Sequence, residues 1–129
     1  MLKPKAIDHV GLKVTDMDKS LAFYCAGLGL KLLRRRESAP GIVTAVLAVG
    51  DQEMNLFSGP RSVANMAGGD SPGLDHFCLE IASASIDEVI AGLAKAGIAV
   101  AQPPVKRSDG ISLFVSDPDG CRVELIVKP

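Results

Sequence analysis

Residues Ile7–Val14 alternate apolar with polar or small side chains, the period-two pattern of a half-buried strand. Thr15 or Asp16 then offers a cap for a helix that starts near Met17. Met17, Leu21, Tyr24 and Leu28 recur at helical spacing, and Gly29 follows as the stop. Leu30–Arg36, Gly41–Val49 and Glu53–Ser58 read as three short strands punctuated by glycine and proline. The same order then returns. Leu74–Ile81 is a strand, and Ile86, Val89, Ile90 and Leu93 form a helical stripe that ends at Gly97. Ile98–Ala101, Ile111–Ser116 and Arg122–Val127 are strands, with a strong turn at Asp117-Pro118-Asp119-Gly120. Between the halves, Gly59 to Gly73 holds four glycines and two prolines without periodicity and reads as a linker.

Each half is therefore β-α-β-β-β. The chain is read as one α+β domain over 1–129, with module 1 at 1–58, a linker at 59–73 and module 2 at 74–129. One such unit cannot cover both faces of its own sheet, whereas two can bury them against each other. The repeat is visible in the residues themselves. Ile7-Asp8-His9-Val10 and Leu74-Asp75-His76-Phe77 place the chain's two histidines 67 residues apart at equivalent positions. A duplicated strand that twice presents an imidazole brings two metal ligands toward one pseudo-symmetric centre. The last strands extend the correspondence. Glu124 lies 48 residues beyond His76 and Asn55 lies 46 beyond His9, in the matching texts Val123-Glu124-Leu125-Ile126 and Met54-Asn55-Leu56-Phe57. His9, His76 and Glu124 are candidate ligands for a borderline divalent ion, and Asn55 is a weak one. Alternation puts Gly11 and Lys13 on the face of His9, Cys78 and Glu80 on that of His76, and Phe57 on that of Asn55. Cys78 and Phe57 are thus candidate pocket walls.

Composition narrows the partners. A chain of 129 residues with 47% hydrophobic and 22% charged content builds a real core. Its net charge of −1 and pI near 6.1 exclude a nucleic-acid surface. Arg34-Arg35-Arg36 is the one basic run and reads as a solvated strand end. Three cysteines without CxxC spacing fit reduced thiols, and the N-terminus shows no signal peptide, so a cytoplasmic location is expected. The longest apolar stretch, Ile42 to Val49, is far too short to span a membrane.

Ile7-Asp8-His9-Val10, Phe23-Tyr24…Gly27-Leu28-Gly29-Leu30, Leu74-Asp75-His76 and Asp117-Pro118-Asp119-Gly120…Val123-Glu124-Leu125 resemble the vicinal-oxygen-chelate superfamily over nearly the whole chain. The group includes glyoxalase I, fosfomycin-resistance thiol transferases, extradiol dioxygenases and bleomycin-binding proteins. The resemblance implies paired βαβββ modules forming a mostly antiparallel half-barrel sheet around a metal site. It also implies one divalent ion per chain (Zn, Ni, Mn, Co or Fe), held by His9, His76 and Glu124, that takes two vicinal oxygens of a small-molecule substrate. A homodimer is expected, since such modules leave open sheet edges. The implied activity is a lyase or isomerase of glyoxalase type, with Glu124 as the catalytic carboxylate and Asn55, Phe57, Cys78 and Arg107 around the substrate. A fosfomycin-type transferase, an extradiol-type dioxygenase and a non-catalytic sequestration protein are the alternatives. The chain departs from glyoxalase I at Asn55, where that enzyme carries Glu, and from the fosfomycin transferases at Gly11, where they carry Thr. Asn cannot accept a proton at neutral pH, so poor turnover of the methylglyoxal–glutathione hemithioacetal is expected.

Overall fold

In a computed structural model of the chain, structure is described for residues 1–59, 74–82 and 85–129. All but the first residue of the expected linker, Gly59–Gly73, lies outside the described residues.

Module 1 runs β1 (His9–Lys13), α1 (Met17–Leu21), a π-helical turn (Ala22–Gly27), β2 (Lys31–Ala39), β3 (Ile42–Val49) and β4 (Gln52–Ser58). Module 2 runs β5 (His76–Glu80), α2 (Ile86–Lys95), β6 (Val105–Arg107), β7 (Gly110–Ser116) and β8 (Arg122–Val127). Each forms a four-stranded sheet, ordered β1-β4-β3-β2 and β5-β8-β7-β6. β1 pairs with β4, and β5 with β8, in parallel; the remaining pairs are antiparallel. The fold is thus α+β, as expected, with two mixed sheets and no closed barrel.

Both helices start where a side chain accepts an otherwise orphaned N–H. Asp16 accepts from the Lys19 N–H at 3.1 Å and Ser85 from the Glu88 N–H at 3.2 Å. Gly29 and Gly97, at φ 83° and 75°, close the two helical segments. The first helix departs from the continuous α-helix that the spacing predicts. Beyond Leu21 its bonds widen, so that the Leu28 N–H reaches the Phe23 carbonyl at 2.9 Å.

A second departure concerns the outer strand of module 2. Ile98–Ala101 is not a strand; pairing starts only at Val105. Pro103 and Pro104 intervene, and proline lacks the N–H that a ladder needs and restricts the residue before it. Arg34–Arg36 lie inside β2 rather than at a strand end. All nine residues of β2 are exposed.

One core joins the modules. Leu12, Val14, Tyr24, Leu47 and Leu56 pack in the same cluster as Leu79, Leu113, Val123 and Leu125. A polar clasp reinforces it. The buried Tyr24 hydroxyl donates to Asp117 Oδ2 at 2.7 Å, and the Thr15 N–H donates to the Asp119 carboxylate at 3.2 Å. Asp117 Oδ1 meanwhile accepts the N–H groups of Asp119 and Cys121, at 2.9 and 2.8 Å. The Asp-Pro-Asp-Gly turn thus docks module 2 on module 1 and sets the entry into β8. No helix among the described residues is long and apolar enough to cross a membrane.

Candidate metal and substrate site

Alternation decides which side chains leave the core. Leu12 and Val14 point inward, so His9, Gly11 and Lys13 face away; Leu79 points inward, so His76, Cys78 and Glu80 face away. The strand registers then give the repeat a structural form. Gly11 lies opposite Asn55 on β4, and Cys78 lies opposite Glu124 on β8. Asn55 and Glu124 are therefore equivalent positions, each facing the residue two beyond its module's histidine.

Module 2 gathers the chemistry. His76 Nε2 stands 3.1 Å from Glu124 Oε2, and the Arg107 Nη2 guanidinium nitrogen stands 3.0 Å from Glu124 Oε1. Only 10% of the Glu124 side chain is exposed, so a carboxylate in that position requires partners, and both of its oxygens have one. On the other side of the imidazole, Nδ1 lies 2.7 Å from Asp75 Oδ2. The hydrogen bond to His76, and secondarily Arg122, holds the Asp75 carboxyl below its ordinary range. The Asp75 contact at Nδ1 orients the ring so that Nε2 is the nitrogen that faces Glu124. Nε2 and Oε2 are thus two donor atoms aimed at the same point. Phe114 closes the wall edge-on to His76, with ring centroids 5.4 Å apart.

Module 1 repeats half of this design. His9 Nδ1 lies 2.8 Å from Asp8 Oδ2. Asn55 Oδ1 is buried and has no hydrogen-bond partner among the described residues. Phe57 is 43% exposed and lies over Gly11, where an added Cβ would approach its ring to 3.3 Å. The empty place at Gly11 thus holds Phe57 rather than adding room for a ligand. His9 does not complete a ligand set with His76 and Glu124: among the described residues no three His, Cys, Asp or Glu side chains are arranged to hold a metal ion. Convergence of His9 with Glu124 across the module interface of one chain is therefore not what this structure shows. The two strands expose their histidines on separate sheets.

The other expected site residues fall as follows. Arg107 reaches the site, but its partner is the protein's own carboxylate, and its Nε donates to the buried Ser112 hydroxyl at 3.1 Å. It lies at the end of β6 in a tight hairpin. Cys78 is exposed as a residue, and partial desolvation of its sulfur together with the Glu124 charge pushes the thiol up to about 11, which argues against a nucleophile. Asp8, Asp75, Phe114 and Arg122 are site residues that ligand spacing does not find. The aspartates had a signal, since Asp precedes histidine in both copies of the repeat.

The family model described as Glyoxalase/Bleomycin resistance protein/Dioxygenase superfamily matches residues 6–125. A probable lactoylglutathione lyase from Synechocystis is 32% identical over 92% of this chain and 92% of its own length. The crystal structure of a glyoxalase family protein from Enterococcus faecalis superposes with a TM-score of 0.78 at 28% identity, covering 95% of this chain and 97% of that one. At 18% identity, the fosfomycin resistance protein FosX from Listeria monocytogenes shares the fold, with a TM-score of 0.71 over 96% of this chain and 90% of that one.

Proposed function

The chain belongs to the glyoxalase/bleomycin resistance/dioxygenase superfamily, and from that premise we propose that it is a divalent-metal-dependent enzyme of lyase or isomerase type. Its substrate is a small molecule that presents two vicinal oxygens. The observation that carries this reading is the His76–Glu124 pair, with Nε2 and Oε2 3.1 Å apart and Nδ1 anchored by Asp75. The donor set suits a borderline ion of the zinc, nickel, cobalt, manganese or iron kind. FosX, to which the chain is alike in fold only, is itself described in complex with Mn(II) and a dihydroxypropylphosphonic acid.

His76 and Glu124 supply two ligands. We assign the third to His9 of a second copy in a homodimer, because His9 belongs to the sheet of module 1 and does not complete a metal-holding group with the pair within one chain. The fully exposed β2 and the 43% exposed Phe57 leave that face uncovered in one chain. When bound, the ion supplies Lewis-acid stabilisation of charge that develops on the substrate oxygens. Arg107 balances the Glu124 carboxylate and turns toward an anionic group when that carboxylate is engaged elsewhere. Glu124 is the carboxylate placed to move a proton. Asn55 offers its unpartnered Oδ1 to a substrate hydroxyl or a water, while Phe57 and Cys78 exclude solvent. A protein of the sequestration type has no use for an imidazole oriented between two carboxylates, so the enzyme reading is preferred.

Metal analysis tests the ligands. Wild type should hold about one ion per chain, and His76→Ala and His9→Ala should each lose it. Mixing the two variants should restore about a quarter of the sites, since half the dimers would be mixed and each would carry one intact set. Undiminished metal in His76→Ala overturns the assignment. Full metal in wild type without recovery on mixing overturns the shared site. In a lactoylglutathione assay with zinc, nickel, cobalt and manganese in turn, kcat/KM should stay well below about 10⁴ M⁻¹s⁻¹ and rise in Asn55→Glu. A wild-type value at or above that range would overturn the role given to Asn55.

A further inference from the structure

The two modules differ most at their outer strands. β2 pairs with β3 along its length, whereas β6 pairs with β7 only as far as Val105 against Ser112. From Leu113 to Ser116, β7 has no strand partner on that side among the described residues. The segment that would fill the place is held away from it. Ile98 reaches instead into module 1, its Cδ1 only 2.7 Å from where a Cβ on Gly27 would sit, and Pro103 and Pro104 carry no N–H. The gap is a cavity of about 580 Å³, within the usual size range of small-molecule sites.

Phe23, Ile98, Ala99, Phe114 and Pro118 give it apolar walls, and two charged residues line it, Asp117 and Arg122. Asp117 is already engaged, by the Tyr24 hydroxyl on one oxygen and two backbone N–H groups on the other. Arg122 is not. Its guanidinium carbon lies 4.4 Å from the Phe114 ring centroid, and its ion pair is with exposed Asp75 at 3.4 Å. A surface pair of that kind is weak and readily exchanged. The cavity therefore offers an apolar body and one available planar cation.

We propose that this cavity binds an apolar, ring-sized group carrying one anionic substituent, the ring seated between Phe23 and Ile98 and the anion on Arg122. Phe114 forms a wall of the cavity and also stands edge-on to His76. The cavity thus adjoins the surroundings of the His76–Glu124 pair through Phe114, although neither member of the pair lines it, and a substrate that reached from the pair into the cavity would be an amphipathic anion. Binding in the cavity stands without a metal; only its use as the substrate's arm rests on the enzymatic reading above.

The test is a fluorescence titration of the full chain with 8-anilinonaphthalene-1-sulfonate and with N-phenyl-1-naphthylamine, the same rings without the sulfonate. Wild type should bind the sulfonate saturably at about one per chain. Arg122→Gln should weaken the sulfonate about ten-fold and leave the uncharged probe within about two-fold. Ala99→Trp, which fills the cavity, should weaken both about ten-fold. His76→Ala, which removes the metal in the reading above, should change neither by more than about two-fold. Absence of saturable binding, equal sulfonate binding by Arg122→Gln, or unaltered binding by Ala99→Trp would each overturn the proposal. Probe binding that survives in a chain found to hold no metal separates this site from the enzymatic reading.

Discussion

Tyr24→Phe removes one hydroxyl from the middle of the clasp between the modules and leaves the ring in place. Tyr24 is fully buried, edge-on to Phe23 at 4.9 Å and stacked on Phe77 at 6.5 Å. Its hydroxyl donates to Asp117 Oδ2 at 2.7 Å, and a hydrogen bond to a charged acceptor contributes about 1.5–3 kcal/mol. Asp117 keeps two N–H donors on its other oxygen, so the carboxylate is not orphaned and the low end applies, about 1.5–2 kcal/mol. For a chain of this size that is a fall in Tm of about 6–8 °C. The pH dependence gives a second, independent reading. Burial first, then the hydrogen bond and charge of Asp117, hold the phenol well above its ordinary value of 10.0. Below pH 10 the folded and unfolded chains bind the same proton and the contribution is fully present. As pH rises past 10 the unfolded chain loses that proton while the folded chain keeps it, so wild type loses about 0.8 kcal/mol by pH 10.5. Lysine and cysteine titrate in both proteins and cancel in the difference. Urea unfolding at pH 7 and pH 10.5 should therefore show a wild-type advantage that shrinks by about half. A variant within about 0.5 kcal/mol of wild type at pH 7, or an advantage identical at both pH values, would refute the clasp.

Gly110→Ala should cost about 2–4 kcal/mol in thermal unfolding, because its Cβ would run into the carbonyl of Val127 on the paired strand, and backbone cannot give way as a side chain does. Gly92→Ala on α2, with open space around it, should stabilise by about 0.5–1 kcal/mol, and equal effects at the two positions would contradict the β7–β8 packing. Cys121 should resist Ellman's reagent. Burial, then the charges of Asp117 and Asp119, push its thiol up to about 11, so in a Cys25→Ser, Cys78→Ser background it should react at pH 8 about 100-fold more slowly than an ordinary thiol. A rate equal to that of free glutathione would disprove that environment.

The repeat made most of the fold and half of the site legible. Period two in Ile7–Val14 and Leu74–Ile81 grouped each histidine with the residues that share its face, and the count from histidine to last strand made Asn55 and Glu124 equivalents, which the strand registers match. The π-helical widening after Leu21 was not legible, because Met17, Leu21 and Tyr24 suit either winding. The partner of Arg107 was not legible either. The family resemblance makes Arg107 a substrate contact, whereas the hairpin lays it 3.0 Å from Glu124.

The failed strand at Ile98–Ala101 is the most instructive departure. Its residues have strand character, but a ladder needs donors along its whole run, and Pro103-Pro104 remove two in succession just where pairing with β7 would continue. The pseudo-symmetry that located the histidines would have filled that position with a counterpart of β2. Its loss leaves Arg122 and Phe114 bordering open space beside His76. Duplication accounts for what the two modules share, an Asp-His pair on the first strand and a polar residue, Asn55 or Glu124, on the strand beside it. The break in duplication accounts for where the two halves differ among the described residues, a cavity beside β7 that β6 does not fill.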